Sequence, residues 1–161
     1  MHHLNPRIVT CSGKKLVGKR LTMSLARYRS GELWGRFMPV RKYIHNTVST
    51  DLFSVAVYQP AYFTDFSPAN VFERWAAVEV TDFNTVPPGM ETLELPGGLY
   101  AVFHYKGRSN DPSVFQYIYT TWLPASDYRL DDRPHVEVLG PDYKNNDPAS
   151  EETICIPVQC K

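Results

Sequence analysis

The chain has 161 residues and carries 17 Lys+Arg against 17 Asp+Glu, a balance that excludes a global field steering it to nucleic acid or acidic lipid. Its length suits one domain, or two closely packed halves, with a sizeable buried core. Three cysteines, Cys11, Cys155 and Cys160, make neither a disulfide framework nor a zinc spacing, which fits a reducing, cytoplasmic setting.

Thirteen prolines cut the chain into short elements. Residues 8–10 and 15–23 read as strands around a Ser12-Gly13 turn. Lys14, Lys15, Lys19 and Arg20 alternate along this pair as a solvated cluster. A helix is predicted from Ser30, because Leu33, Phe37, Val40 and Ile44 recur on one face. Pro39 falls inside that pattern and should bend the helix, with Gly35 one turn back giving room. Strands over 52–58 and 76–81 follow.

After Pro87-Pro88-Gly89 the same order restarts. Residues 92–95 and 99–106 flank a Pro96-Gly97-Gly98 hairpin turn. Asp111-Pro112 is a helix start, with Asp as N-cap and Pro in the first turn. Phe115, Ile118 and Trp122 give that helix one apolar face, and Pro124 ends it. Strands over 135–139 and 153–158 close the series. The sequence thus reads strand pair, helix, strand, strand, twice over, in half-repeats of about 1–86 and 87–161. The predicted fold is α+β: an antiparallel sheet with helices on one side and, on the other, a concave groove between the halves.

Within this frame the strand 135–139 carries one carboxylate, Glu137, among apolar neighbours. An ionised acid taken out of water without a partner loses several kcal/mol or takes up a proton. Alternation places His135 and Glu137 on one face and Val136 and Val138 on the other. With the valines assigned to the helix-covered core, Glu137 falls in the groove. Two readings stay open from the pattern: a solvated strand end or a fixed arginine pair, and recognition of a cationic ligand.

The other acids are weaker candidates. Glu79 alternates away from Val78 and Val80, toward groove or solvent. Glu151 and Glu152, beside Asp147-Pro148, read as a solvated strand entrance, and Asp131 and Asp132 as turn residues held with Arg133. Among the aromatics, Trp34, Phe37, Tyr58, Trp75, Tyr100, Tyr119 and Trp122 are candidate ligand-binding residues, although most such rings build cores. Rings around a carboxylate suit an aromatic cation, each cation–π contact contributing about 0.5–2 kcal/mol. No GxSxG, HExxH, P-loop or dinucleotide fingerprint occurs, so no cofactor or metal is expected. His104 and His135 read as structural strand histidines. Tyr100, His104 and Lys106 do not make a single-strand nucleic-acid platform. No run approaches the ~18 apolar residues of a membrane helix and no signal core opens the chain, so no membrane partner is expected.

An ordered series of segments resembles the GyrI-like family. It comprises Phe72-Glu73-Arg74-Trp75-Ala76-Ala77-Val78-Glu79-Val80, then Pro88-Gly89-Met90-Glu91 and Leu95-Pro96-Gly97-Gly98-Leu99-Tyr100-Ala101-Val102-Phe103. Ile118-Tyr119, Trp122-Leu123-Pro124-Ala125-Ser126, Arg133-Pro134 through Glu137, and Glu151-Glu152-Thr153-Ile154-Cys155-Ile156-Pro157-Val158 continue it. Upstream, Glu32-Leu33-Trp34, Phe37 and Met38-Pro39-Val40-Arg41 also fit.

The resemblance is to the effector-binding domain of AraC- and MerR-type transcription regulators, which also occurs alone, including in integron cassettes. It implies a pseudo-twofold tandem of strand–helix–strand–strand modules. It also implies a hydrophobic pocket between them, with a buried glutamate, here Glu137, recognising lipophilic cations. The domain begins close to Met1, so no helix-turn-helix and no direct nucleic-acid contact are expected. Any regulatory effect would need a protein partner such as a transcription regulator, or act by sequestering a ligand. The expected function is binding of lipophilic, cationic aromatic molecules without turnover. The family also implies two alternatives: inhibition of DNA gyrase by protein contact, and hydrolysis of strained, cyclopropanoid electrophiles. The second would use Glu137 as base and need a second acid, for which Glu79 is the candidate.

Overall fold

Runs of β-branched and aromatic residues broken by Pro, Gly and Asp build strands in this chain. A computed structural model describes residues 4–161; Met1-His2-His3, to which the sequence assigns no role, lie outside the described residues. The strands are β1 (Arg7–Cys11), β2 (Lys14–Ser24), β3 (Leu52–Val57), β4 (Val71–Val80) and β5 (Glu91–Leu95). The second half adds β6 (Gly98–Lys106), β7 (Tyr128–Leu130), β8 (His135–Leu139) and β9 (Glu151–Cys160). All pair antiparallel in the order β1-β6-β9-β8-β3-β4-β2-β5, with β7 on the end of β9.

Helix α1 (Ser30–Phe37) gives way at Met38–Tyr43 to a 3-10 turn that has Pro39 in its first positions. The expected bend is therefore a change of helix type. Leu33, Phe37 and Ile44 are buried as the periodicity requires, and Val40 is half-buried. Helix α2 (Ser113–Tyr117) starts where Asp111 Oδ1 accepts the Ser113 N–H at 2.9 Å, runs on as a π turn (Ile118–Trp122), and ends in α3 (Leu123–Ala125). Among the described residues, no helix is long and apolar enough to cross a membrane.

Two expectations are corrected by the strand pairing. The strands around each turn do not form hairpins. Instead β1 pairs with β6 and β5 with β2, so the first strand of each half is exchanged into the other half. The two connecting links cross at close range: a Cβ on Gly97 would stand 2.9 Å from Cys11 O and 3.0 Å from the Gly13 nitrogen. Gly97→Ala should therefore cost about 1–3 kcal/mol, as other overpacked sites do, read as a lowered thermal midpoint with the fold retained.

The second correction concerns which face is which. Helices α1 and α2 pack on the face bearing Val17, Met23, Ala56, Ala76 and Val78 in the first half and Phe103, Ile154 and Ile156 in the second. Val136 and Val138 belong to the opposite face, clustered with Leu16, Phe53, Val55 and Trp75. Glu137 therefore stands on the helix side of the sheet, between the two helices. Both faces are apolar, and alternation alone does not say which one a helix covers.

Candidate functional site

The pairing of β3 with β8 places Glu137 near the middle of the sheet. It faces Ser54 on β3 and Ile154 on β9, and Ser54 in turn faces Ala76 on β4. One register step away, His135, Ala56 and Arg74 lie in line. Ser54, Ala56 and Ala76 are all small, so the sheet floor here leaves room above it for long side chains. Arg74 and Glu137 occupy that room.

Arg74 stands beside the acid, so the arginine neighbour that one of the two readings of Glu137 allowed is present. Its side chain is 9% exposed and that of Glu137 23%, with Nη1 standing 3.7 Å from Glu137 Oε1. That separation is an ion-pair contact without a direct hydrogen bond. The Arg74 Nη1 hydrogen instead goes to Ser54 Oγ at 2.7 Å, and the guanidinium lies over the rings of Phe72 (5.5 Å) and Tyr28 (5.8 Å). Its buried Nε has no hydrogen-bond partner. Glu137 is thus balanced by a cation anchored elsewhere, and it keeps part of its coordination free.

Glu152, read from sequence as solvated, is 6% exposed. It precedes by two residues the Ile154 that pairs with Glu137, so both carboxyls share the helix face, within diagonal reach. Burial, then the charge of Glu137 and a hydrogen bond shared with it, push the Glu152 carboxyl up to about 9, against the opposing pull of Arg74. Near neutral pH the pair therefore holds a proton, on the Glu152 side. Glu79, the second acid expected from sequence, is on the other face, 3.7 Å from Lys14 Nζ.

The aromatic wall comes from both halves. Tyr58 meets His135 edge-on (ring centroids 4.8 Å), and Phe63 stacks on His135 (5.5 Å) and lies tilted against Tyr119 (5.2 Å), with Tyr62 and Phe72 behind Tyr58. The Tyr119 hydroxyl and His135 Nδ1 are hydrogen-bonded at 2.7 Å. Burial, reinforced by Arg74, lowers the His135 imidazolium to about 3, so the ring is neutral near pH 7. Burial raises the Tyr58 and Tyr119 hydroxyls above their ordinary value, and the charge of Glu137 adds to that rise in both. Outside the aromatic wall lies an open cleft of about 460 Å³, lined among others by Tyr58, Phe63, Leu123, Tyr128, Arg133 and His135.

Of the aromatic candidates, Tyr58 and Tyr119 are thus brought to Glu137. The others are placed elsewhere by packing. Phe37 is fully buried under α1, with Trp34 edge-on to it, and Trp122 packs edge-on to Phe103 under α2. Trp75 sits on the opposite face, where Tyr100 also lines a small crevice with Cys11 and Cys155. Arg133, in the Arg-Pro step before β8, is structural. It bonds Asp131 at 2.7 Å and donates to Leu99 O and Val158 O, tying the strand entrance to β6 and β9. No cluster of metal-ligating side chains occurs among the described residues.

A curved α+β sheet with a polar cluster walled by rings between two helical halves is the architecture of a small-molecule-binding domain. The chain belongs to the GyrI-like family: the family's small molecule binding domain matches residues 4–159. No curated protein matches in sequence. Among solved structures, the chain is similar to SAV2435 bound to tetraphenylphosphonium, with 15% identity, 96% of this chain and 94% of that one covered, and a TM-score of 0.65. It is also similar to the EcmrR C-terminal domain, at 13% identity, 99% coverage of both chains and a TM-score of 0.72. A third is a hydrolase encoded by lin2189 from Listeria innocua, at 10% identity, 96% and 92% coverage and a TM-score of 0.62. At these identities the likeness is one of fold.

Proposed function

We propose that this domain binds lipophilic, aromatic monocations at Glu137, between the two helical halves. The observation that carries the reading is the charge arrangement. Glu137 and Glu152 together offer two carboxyls against one fixed cation among the described residues, Arg74, inside a wall of rings. Tyr58 and Tyr119 supply π faces for the flat parts of the ligand. The outer cleft gives access once Tyr58 and Phe63 swing aside. The tetraphenylphosphonium held by SAV2435 is a molecule of the expected class.

The test is thermal denaturation with tetraphenylphosphonium and with triphenylphosphine oxide, a neutral compound of related shape. A ligand at a hundredfold its dissociation constant stabilises the native state by about 2.7 kcal/mol. Above its dissociation constant the phosphonium should raise the midpoint with the logarithm of its concentration, and the oxide far less. Equal shifts from both would leave no role for charge.

The carboxyl pair favours one second reading, hydrolysis of a strained electrophile. Glu152 holds a proton to donate to the opening ring, and Glu137 can accept one from the attacking water, which is an acid and a base on one substrate face. Turnover of a cyclopropanoid substrate by the wild type, lost in both Glu137→Gln and Glu152→Gln, is the result this reading expects. Turnover that survives in both variants would remove it.

A further inference from the structure

We propose that the site exchanges a proton for its ligand: the monocation takes the place of the proton held between Glu137 and Glu152, and one proton leaves for each cation bound. This rests on the cation-binding reading and adds to it a co-ligand and a second recognition residue, Glu152.

The geometry supplies the argument. Arg74 stands 3.7 Å from Glu137, so that pair is already balanced, and Glu152 lies on the same face with its side chain buried. Adding a second positive charge to such a site is opposed by Arg74 in a medium where charges interact strongly. Ionising Glu152 removes that opposition, because two carboxylates then face two cations. A molecule of no charge gives Glu152 no reason to release its proton, and a dication exceeds what the pair can offset.

The neighbours of Glu152 identify it as the group that gives up the proton. Tyr105 on β6 is its register partner, Glu137 reaches it from β8 and Arg74 from β4. Tyr143 approaches from the loop after β8, within electrostatic reach of both carboxyls, and Tyr28 lies on Arg74. Tyr58 and Tyr119 face Glu137 from the end of β3 and from the π turn. Glu151 and His104 sit on the other face, 2.7 Å apart. Burial raises the Tyr58, Tyr105, Tyr119 and Tyr143 hydroxyls and keeps His135 neutral. That leaves Glu152, held at about 9, as the acid that a nearby cation brings into the neutral range.

Isothermal titration of the whole chain with tetraphenylphosphonium, in two buffers of very different ionisation enthalpy, counts the protons. One proton released per cation is expected. The affinity should rise close to tenfold per pH unit below about 9, down to the lowered value Glu152 takes in the complex, and level off beneath it. Infrared difference spectra of the wild type should show a protonated-carboxyl band lost on binding, which needs no variant to fold. Glu152→Gln should bind more weakly than the wild type toward alkaline pH, with the same heat in both buffers and with an affinity independent of pH. Binding by the wild type with no proton released and no carboxyl band lost overturns the exchange but leaves cation binding standing. Absence of binding at every pH overturns both.

Discussion

Glu137→Gln should weaken tetraphenylphosphonium binding by about 2–5 kcal/mol, the usual cost of removing one partner from a buried charge pair. The loss has two parts. The ligand loses its counter-charge, and Arg74, 3.7 Å from the altered side chain, becomes a nearby repulsive cation. Glu152 does not compensate. Burial, the largest cause of its raised value, persists in the variant, and any charge it does take on is offset by Arg74, so the site has no surplus negative charge to offer. A neutral ligand of related shape depends on the rings alone, so its affinity should change little. Titration calorimetry of both ligands with both proteins decides the matter. Equal weakening of the two would mean that Glu137 shapes the pocket without recognising charge.

Much of the architecture was legible because the chain is sharply punctuated. Strand β8 was read with its exact bounds, since Pro134 forbids an earlier start and Gly140-Pro141 a later end. The exchange of β1 and β5 between halves was not legible. A short Gly-containing link serves a hairpin and a crossing equally well, and only long-range pairing distinguishes them.

The side of the sheet was misassigned for a related reason. Val136 and Val138 look more like core than the Ser54, Ala56 and Ala76 floor does, yet that floor is the helix side. Its small residues make space for Arg74 and Glu137.

Glu152 and Arg74 were missed although a signal existed. Glu152 is in phase with Ile154, Ile156 and Val158, and Arg74 with Phe72, Ala76 and Val78, all of them buried. A charged residue in step with an apolar stripe is a stronger pointer to a buried cluster than its proximity to a turn is to solvent. Six of the aromatic candidates lie on strands or helices whose phase was readable. Which rings meet Glu137 depended on the packing of two distant segments, residues 58–63 and 118–122, and no local pattern records that.

The dependence of folding stability on pH provides the sharpest check on the buried cluster in the ligand-free protein. The Glu152 carboxyl goes from 4.5 to about 9 on folding, so between these values the native state binds the extra proton. Stability must then fall as pH rises through that window, by up to about 1.4 kcal/mol per unit. His135 works in the opposite sense. Its value drops from 6.5 to about 3, so the unfolded chain binds the extra proton between these limits and stability falls on acidification. The two slopes oppose each other where the windows overlap, which predicts a plateau between about 4.5 and 6.5 and a decline on either side. Urea denaturation across pH should show it. Glu152→Gln removes the Glu152 slope, so the plateau becomes a rise up to about 6.5 with no alkaline decline beyond it, and the variant's stability relative to the wild type grows with pH from about 4.5 upward. His135→Phe keeps the ring contacts with Tyr58 and Phe63 and should remove the acid decline, so that stability falls from about 4.5 upward with no plateau. A wild-type profile that stays flat from the plateau up to pH 9 would mean that Glu152 ionises freely in the fold. The carboxyl pair, and the charge argument built on it, would then have to be given up.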